Sequence, residues 1–176
     1  MPDYVEGSAE GRHFRTYLQQ RQTSCGPSSF RTVVHYLKGS APSEDWLRVH
    51  SNRNMISPGI LNKIAALGLQ PANMTAEIEH LVPQFRAFGL KAKGEIVGIT
   101  AVGERIQTAS RARCFITGVT WNAGGGHWVV VPYVNNGTVV VLDPGSGIEL
   151  VTAFPTYAPS YGSAGAFDGF IMEVTT

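Results

Sequence analysis

Between Gly26 and Lys38 the run GPSSFRTVVHYLK places apolar side chains at Phe30, Val33, Val34 and Leu37. That i, i+3, i+4, i+7 spacing lines one face of an α-helix. Pro27 suits its first turn and Gly39 its end. Ser57 and Pro58 then read as N-cap and first position of a second helix. Its inward face is Ile60, Leu61, Ile64 and Leu67, and Gly68 stops it. A third helix is predicted over 75–88, with Ile78, Leu81, Val82, Phe85 and Phe88 inward. Pro83 cannot donate to the helical ladder, so this helix is either kinked or begins later. Residues 101–110 predict a short fourth helix.

From about residue 112 the period changes. CFITGVTW, HWVVVPYV, TVVVLD and FIMEVT are short runs rich in Val, Ile, Thr and aromatic residues, separated by NAGGG, NNG and PGSG. They read as strands and turns, with Asn136-Gly137 a strong hairpin signal. KAKGEIVGIT adds an edge strand. The pattern predicts a single α+β domain over 1–176, helices first and an antiparallel sheet after them.

Composition narrows the function. The chain has 176 residues, 43% of them hydrophobic, enough for one domain with a full core. Charged residues make up 15%, the formal net charge is +1, and no run of Lys and Arg stands out. Nucleic acid and anionic membrane surfaces are therefore not expected partners. No stretch approaches the roughly 20 apolar residues that span a bilayer. The opening MPDYVEGSAEGRHF lacks the basic and apolar regions of a secretory signal, which predicts a protein that is cytoplasmic as synthesised. Export by a route without a cleavable signal, and excision from a longer chain, stay open.

The two cysteines, Cys25 and Cys114, do not make a disulfide framework. The five histidines are scattered, with no HxxxH or CxxC spacing, so neither a metal nor an organic cofactor is expected. Cys114, at a strand start with no acid–base partner in view, reads as a core thiol.

Cys25 is different. It opens the best helix in the chain, where unpaired backbone N–H groups and the helix dipole favour an anion such as a thiolate nucleophile. Gly26 removes side-chain bulk beside it. His127 stands where the loop Gly124-Gly125-Gly126 meets the apolar strand HWVVV. There one ring face can meet a cleft while the strand fixes the backbone. Trp128 points to the other side by strand alternation. Asp143 closes the strand TVVVLD before Pro144-Gly145. The Asn136-Gly137 hairpin puts His127 and Asp143 near the same end of neighbouring strands, where a carboxylate can hold the imidazole tautomer. Cys25, His127 and Asp143 are the catalytic candidates. Gly26, Gly125, Gly126 and Trp128 are the substrate-binding ones, with Trp121 a second aromatic flanking the Gly-rich loop.

In this order and placement the residues resemble the papain-like cysteine peptidases, and more narrowly the stand-alone C39-like peptidases. The matching stretches are Cys25-Gly26-Pro27-Ser28-Ser29 preceded by Gln, then Gly126-His127-Trp128-Val129-Val130, then Leu142-Asp143-Pro144. They span roughly residues 15–150. The resemblance implies a catalytic Cys on a helix N-terminus packed on a C-terminal antiparallel sheet. It also implies a Gln side chain as oxyanion donor. Gln19, six residues before Cys25, has the superfamily spacing; Gln20 and Gln22 are the alternatives. Transporter-linked C39 members commonly carry Asp before the Cys, where this chain has Ser24.

The resemblance implies a cysteine protease acting on a protein or peptide substrate, cutting after Gly-Gly through a Cys-His-Asp triad. Glutamine deamidation and acyl transfer use the same chemistry and stay open; a non-enzymatic binding module is the least favoured alternative. A compact, cofactor-free protease of this kind also fits a bacterial effector or toxin domain, with an inhibitory immunity protein as its partner.

Overall fold

The computed structural model describes residues 3–21, 24–55 and 82–176. The helix expected from Ser57 to Gly68, residues 75–81 of the third helix, and Gln22 lie outside the described residues.

The chain begins with a β-hairpin rather than a helix. Strands β1 (Tyr4–Ala9) and β2 (Arg12–Tyr17) pair antiparallel. The turn between them is Glu10-Gly11, with φ of 50° and 76°, a left-handed geometry that glycine adopts without strain. Few residues of YVEGSA and RHFRTY are apolar, so hydrophobic alternation does not reveal them. Cross-strand pairing helps to hold them instead: Glu6 sits opposite Arg15 and accepts an ion pair from its Nη2 at 2.6 Å.

Helix α1 (Cys25–Lys38) follows the predicted stripe, with Phe30, Val33 and Val34 fully buried. Gly39 ends it in a left-handed cap, its N–H donating to His35 O at 2.8 Å. Helix α2 (Glu44–Met55) was not foreseen, because EDWLRVHSNRNM has no apolar stripe. It is tied in by charge. Glu44 and Arg48 have no exposed side-chain surface and form an i, i+4 ion pair at 3.1 Å. Arg48 Nη2 also donates to Ser24 Oγ, directly before Cys25. Removing one member of a buried pair leaves the other charge uncompensated. Glu44→Ala is therefore expected to lower stability by about 3 to 5 kcal/mol, read as a reduced urea midpoint.

Of the third expected helix, α3 (Val82–Ala87) is the described part, with Phe85 buried and stacked on Phe30 at 4.1 Å. Strand β3 (Lys91–Ile96) is the expected edge strand, and α4 spans Ile99–Ile106, two residues earlier than expected at its start. The rest is sheet: β4 (Arg113–Trp121), β5 (Gly126–Asn135), β6 (Thr138–Asp143), β7 (Gly147–Val151), β8 (Thr156–Tyr157) and β9 (Gly165–Thr175). All pairings are antiparallel, in the order β3-β9-β4-β5-β6-β7, with β8 beside β9.

The sheet is covered on both faces. Ile116, Val130, Val140 and Leu142 pack in the cluster that holds Phe30 and Val33 of α1. Phe115, Val129, Val131, Val139 and Val141 pack with Val102 and Ile106 of α4. Strands buried on both sides need apolar residues at every position, which explains the unbroken valine runs of β5 and β6. No helix among the described residues is long and apolar enough to cross a membrane.

Candidate active site

Cys25 is the first residue of α1, and the Ser28 N–H donates to Ser24 O at 2.9 Å to close the helix's first turn. One turn on, the Ser29 hydroxyl donates to the Trp128 carbonyl at 3.2 Å. This bond pins the helix start to β5, one residue beyond His127. The Gly-rich loop completes the approach. Gly124 and Gly125 have φ of 97° and 86°, so a side chain at either would strain the turn into β5.

His127 Nε2 lies 2.7 Å from Asp143 Oδ1. The other ring nitrogen, Nδ1, is left for Cys25, whose side chain interacts with the ring and helps to raise it. The ring of Trp121 stacks on the imidazole, centroids 5.4 Å apart and planes at 28°. Burial opposes charge on His127, but its interactions with Asp143 and Cys25 outweigh it and lift the imidazole to about 9. Asp143 is fully buried. Burial pushes its carboxyl up, yet the bonds from His127, Tyr157 and the Gly145 N–H hold it below the usual carboxylate range. The pair is thus built to carry an imidazolium beside a carboxylate at neutral pH.

A cleft of about 350 Å³ opens over Cys25 and His127. Gln19, Gly126, Gly145 and Ser163 also line it, with Trp121 and Tyr161 as its aromatic walls. Gln19 is fixed by its backbone N–H, which donates to Pro144 O at 2.9 Å, immediately after Asp143. Its side-chain amide donates to Arg21 O at 3.2 Å. Gln20 turns elsewhere, its N–H to Glu44 Oε2 at 3.1 Å and its amide to Asp3 Oδ2 at 3.0 Å. Gln19 is thus the glutamine that the fold brings to Cys25 among the described residues.

Among the substrate-binding candidates, Gly126 lines the cleft. Gly26 is buried inside α1, and Gly125 is exposed in the loop. Trp128 faces the opposite side of the sheet, edge-on to Phe170 at 4.6 Å, so its ring packs in the α1 layer instead of walling the cleft. Cys114 is fully buried, and burial pushes its thiol well above the ordinary range. Among the described residues no group of three His, Cys, Asp or Glu could hold a metal ion.

Three residues at or behind the cleft carry no signal that sequence reading could use. Tyr157 and Tyr161 both donate to Asp143 Oδ2, and Ser163 lines the cleft. They fall in FPTYAPSYGSAG, where no period marks one face from another.

No protein-family model matches this sequence, and no curated protein sequence matches it. Solved structures do. A double glycine motif protease from an AMS/PCAT transporter, in complex with the leader peptide, matches with a TM-score of 0.56 and 20% identity, over 98% of this chain and 99% of that one. The peptidase domain of Streptococcus ComA, a bifunctional ABC transporter involved in a quorum-sensing pathway, matches with a TM-score of 0.62 and 17% identity, over 93% and 98%. The chain has the papain-like α+β fold of these double-glycine peptidase domains, along nearly its whole length.

Proposed function

We propose that this protein is a cysteine peptidase that cleaves peptide bonds through Cys25, His127 and Asp143, with Gln19 as oxyanion donor. The observation that carries the reading is His127, held by Asp143 on one side and lining one open cleft with Cys25.

In the first step the Cys25 thiolate attacks the scissile carbonyl carbon. The oxyanion that forms is met by the Cys25 N–H and the Gln19 amide. His127 Nδ1 gives its proton to the departing amine as the C–N bond breaks, leaving a thioester on Cys25. His127 then takes a proton from water, whose oxygen attacks the thioester and returns the thiolate. Asp143 holds the ring throughout. A substrate with small residues before the cut fits a mouth bordered by Gly126 and Gly145. One protein of similar structure is a double glycine motif protease, which supports a Gly-Gly site here.

The test compares wild type with Cys25→Ala on a bacterial lysate, reading new N-termini and +1 Da Gln-to-Glu shifts by mass spectrometry. New N-termini after Gly-Gly, only with wild type, are the expected result. Mass shifts without cleavage would move the chain to the deamidases. The proposal extends to a delivered effector held in check by an immunity protein. Growth arrest on cytoplasmic expression of wild type, absent with Cys25→Ala, is the expected result for that role.

Two further outcomes follow from the geometry. Gln19→Ala removes one oxyanion donor and should lower kcat on the order of 10²- to 10³-fold with little change in KM. The pH profile should keep its activity up to about pH 9, where His127 loses the proton of the ion pair. The same shift has a sign for stability. A folded value raised above the unfolded 6.5 stabilises fully below pH 6.5, and that contribution is lost as pH rises through about 9. Thermal melts at pH 6 and pH 10 check it.

A further inference from the structure

Both oxygens of Asp143 are fully engaged, and His127 accounts for only one of the four bonds. Oδ1 accepts from His127 Nε2 and from the Gly145 N–H, each at 2.7 Å. Oδ2 accepts from two phenols, Tyr157 and Tyr161, the latter at 3.0 Å. Tyr157 is a buried strand residue. Tyr161 is 42% exposed and stands at the edge of the cleft.

The exposed phenol is held in place. Its loop is tied by Ser160, whose N–H and hydroxyl donate to Glu149 Oε1 at 2.9 and 2.6 Å. Ser146 donates to the same oxygen at 2.7 Å. Gly145 leaves the room the ring needs, since a Cβ there would meet the Tyr161 ring at 3.0 Å. Trp121 lies against both phenol rings, with centroids 6.0 Å from Tyr157 and 6.2 Å from Tyr161, and it is the same ring that covers His127.

We propose that Tyr157 and Tyr161 are positioning residues for the triad: by occupying Oδ2 they lock Asp143 with Oδ1 towards His127, and by sharing its charge they set how tightly the imidazole holds its proton. The inference rests on the catalytic reading of Cys25, His127 and Asp143. A carboxylate that accepts from two hydroxyls is a weaker base than one that accepts from none. Without them Oδ2 is buried and bare, and its charge concentrates on the His127 side. Loss of the imidazolium proton then leaves that carboxylate less compensated, so the proton is held more tightly. The other groups facing the pair are Cys25 from α1 and, behind the phenols, Glu149 from β7.

The test needs no substrate. Iodoacetamide alkylation of Cys25 in the full chain is followed across pH by mass spectrometry, in wild type, Tyr161→Phe and Tyr157→Phe/Tyr161→Phe. Phenylalanine keeps the rings against Trp121 and removes only the hydroxyls, and circular dichroism checks the fold. In wild type alkylation changes in an upper step as His127 deprotonates, near pH 9. The double variant should move the upper step higher by about half a pH unit or more. Tyr161→Phe should move it less, because water can replace an exposed hydroxyl. An upper step that stays in place or falls in both variants overturns the proposal, and Tyr161→Phe alone decides it if the double variant does not fold. If wild-type Cys25 instead reacts in one step above about pH 8, as a free thiol does, the catalytic reading itself fails.

Discussion

Cys25→Ala should abolish turnover while leaving the fold unchanged. The side chain is only partly buried, at the first position of α1, and no other described element depends on its sulfur. Alanine is the best helix former, so the loss is chemical rather than structural. The other cysteine does not stand ready to replace it: Cys114 is buried, and burial holds its thiol protonated. The remaining oxyanion donors and the imidazole would bind substrate but have nothing with which to form a thioester. A substrate profile with Cys25→Ala indistinguishable from buffer, alongside a wild-type melting temperature, is the expected result. Residual cleavage by the folded variant would show that the nucleophile lies elsewhere.

The second large effect is expected at Asp143. Asp143→Ala takes the orienting carboxylate from His127 and leaves two phenols and a backbone N–H without their acceptor. The ring then loses both its fixed tautomer and the charge that supports the imidazolium. By the behaviour of comparable triads kcat should fall on the order of 10³- to 10⁴-fold. The His127 titration should move down from about 9 as its carboxylate partner disappears. Asp143→Asn should be milder, because the amide oxygen can still accept from His127 and Gly145 while its NH2 turns to the phenol oxygens. Single-turnover rates for the two variants, with the imidazole followed by NMR, separate the outcomes. Equal rates for both would mean that Asp143 acts through its charge alone.

Much of the site was legible because strong local signals carry it. A helix stripe from Phe30 to Leu37 fixed the position of Cys25, and the Asn136-Gly137 hairpin fixed the strands that bear His127 and Asp143. The structure brings Cys25 and His127 to one cleft and Asp143 to His127. What was not legible lacks a hydrophobic period. The hairpin β1–β2 is held partly by cross-strand charge, and α2 by a buried ion pair whose worth depends on a partner distant in sequence. Of the Asp143 phenols, Tyr157 sits on the two-residue strand β8, and Tyr161 on a loop tied to Glu149, with its ring in the space that Gly145 leaves. Trp128 shows the limit from the other side. Alternation placed it correctly on the face away from His127, yet adjacency in sequence suggested a cleft role that its packing against Phe170 does not give it.

The place of β9 in the sheet has a consequence for when the proposed site can form. This strand is drawn from Gly165–Thr175, yet it sits inside the sheet, between β3 and β4. A nascent chain that has exposed Cys25 but not β9 therefore has a gap in the sheet, and its last contacts are among the most distant in sequence. Asp143 meanwhile waits for Tyr157 and Tyr161. Cys25 precedes Asp143, Tyr157, Tyr161 and β9 along the chain, so the proposed site is assembled only when these later segments have paired.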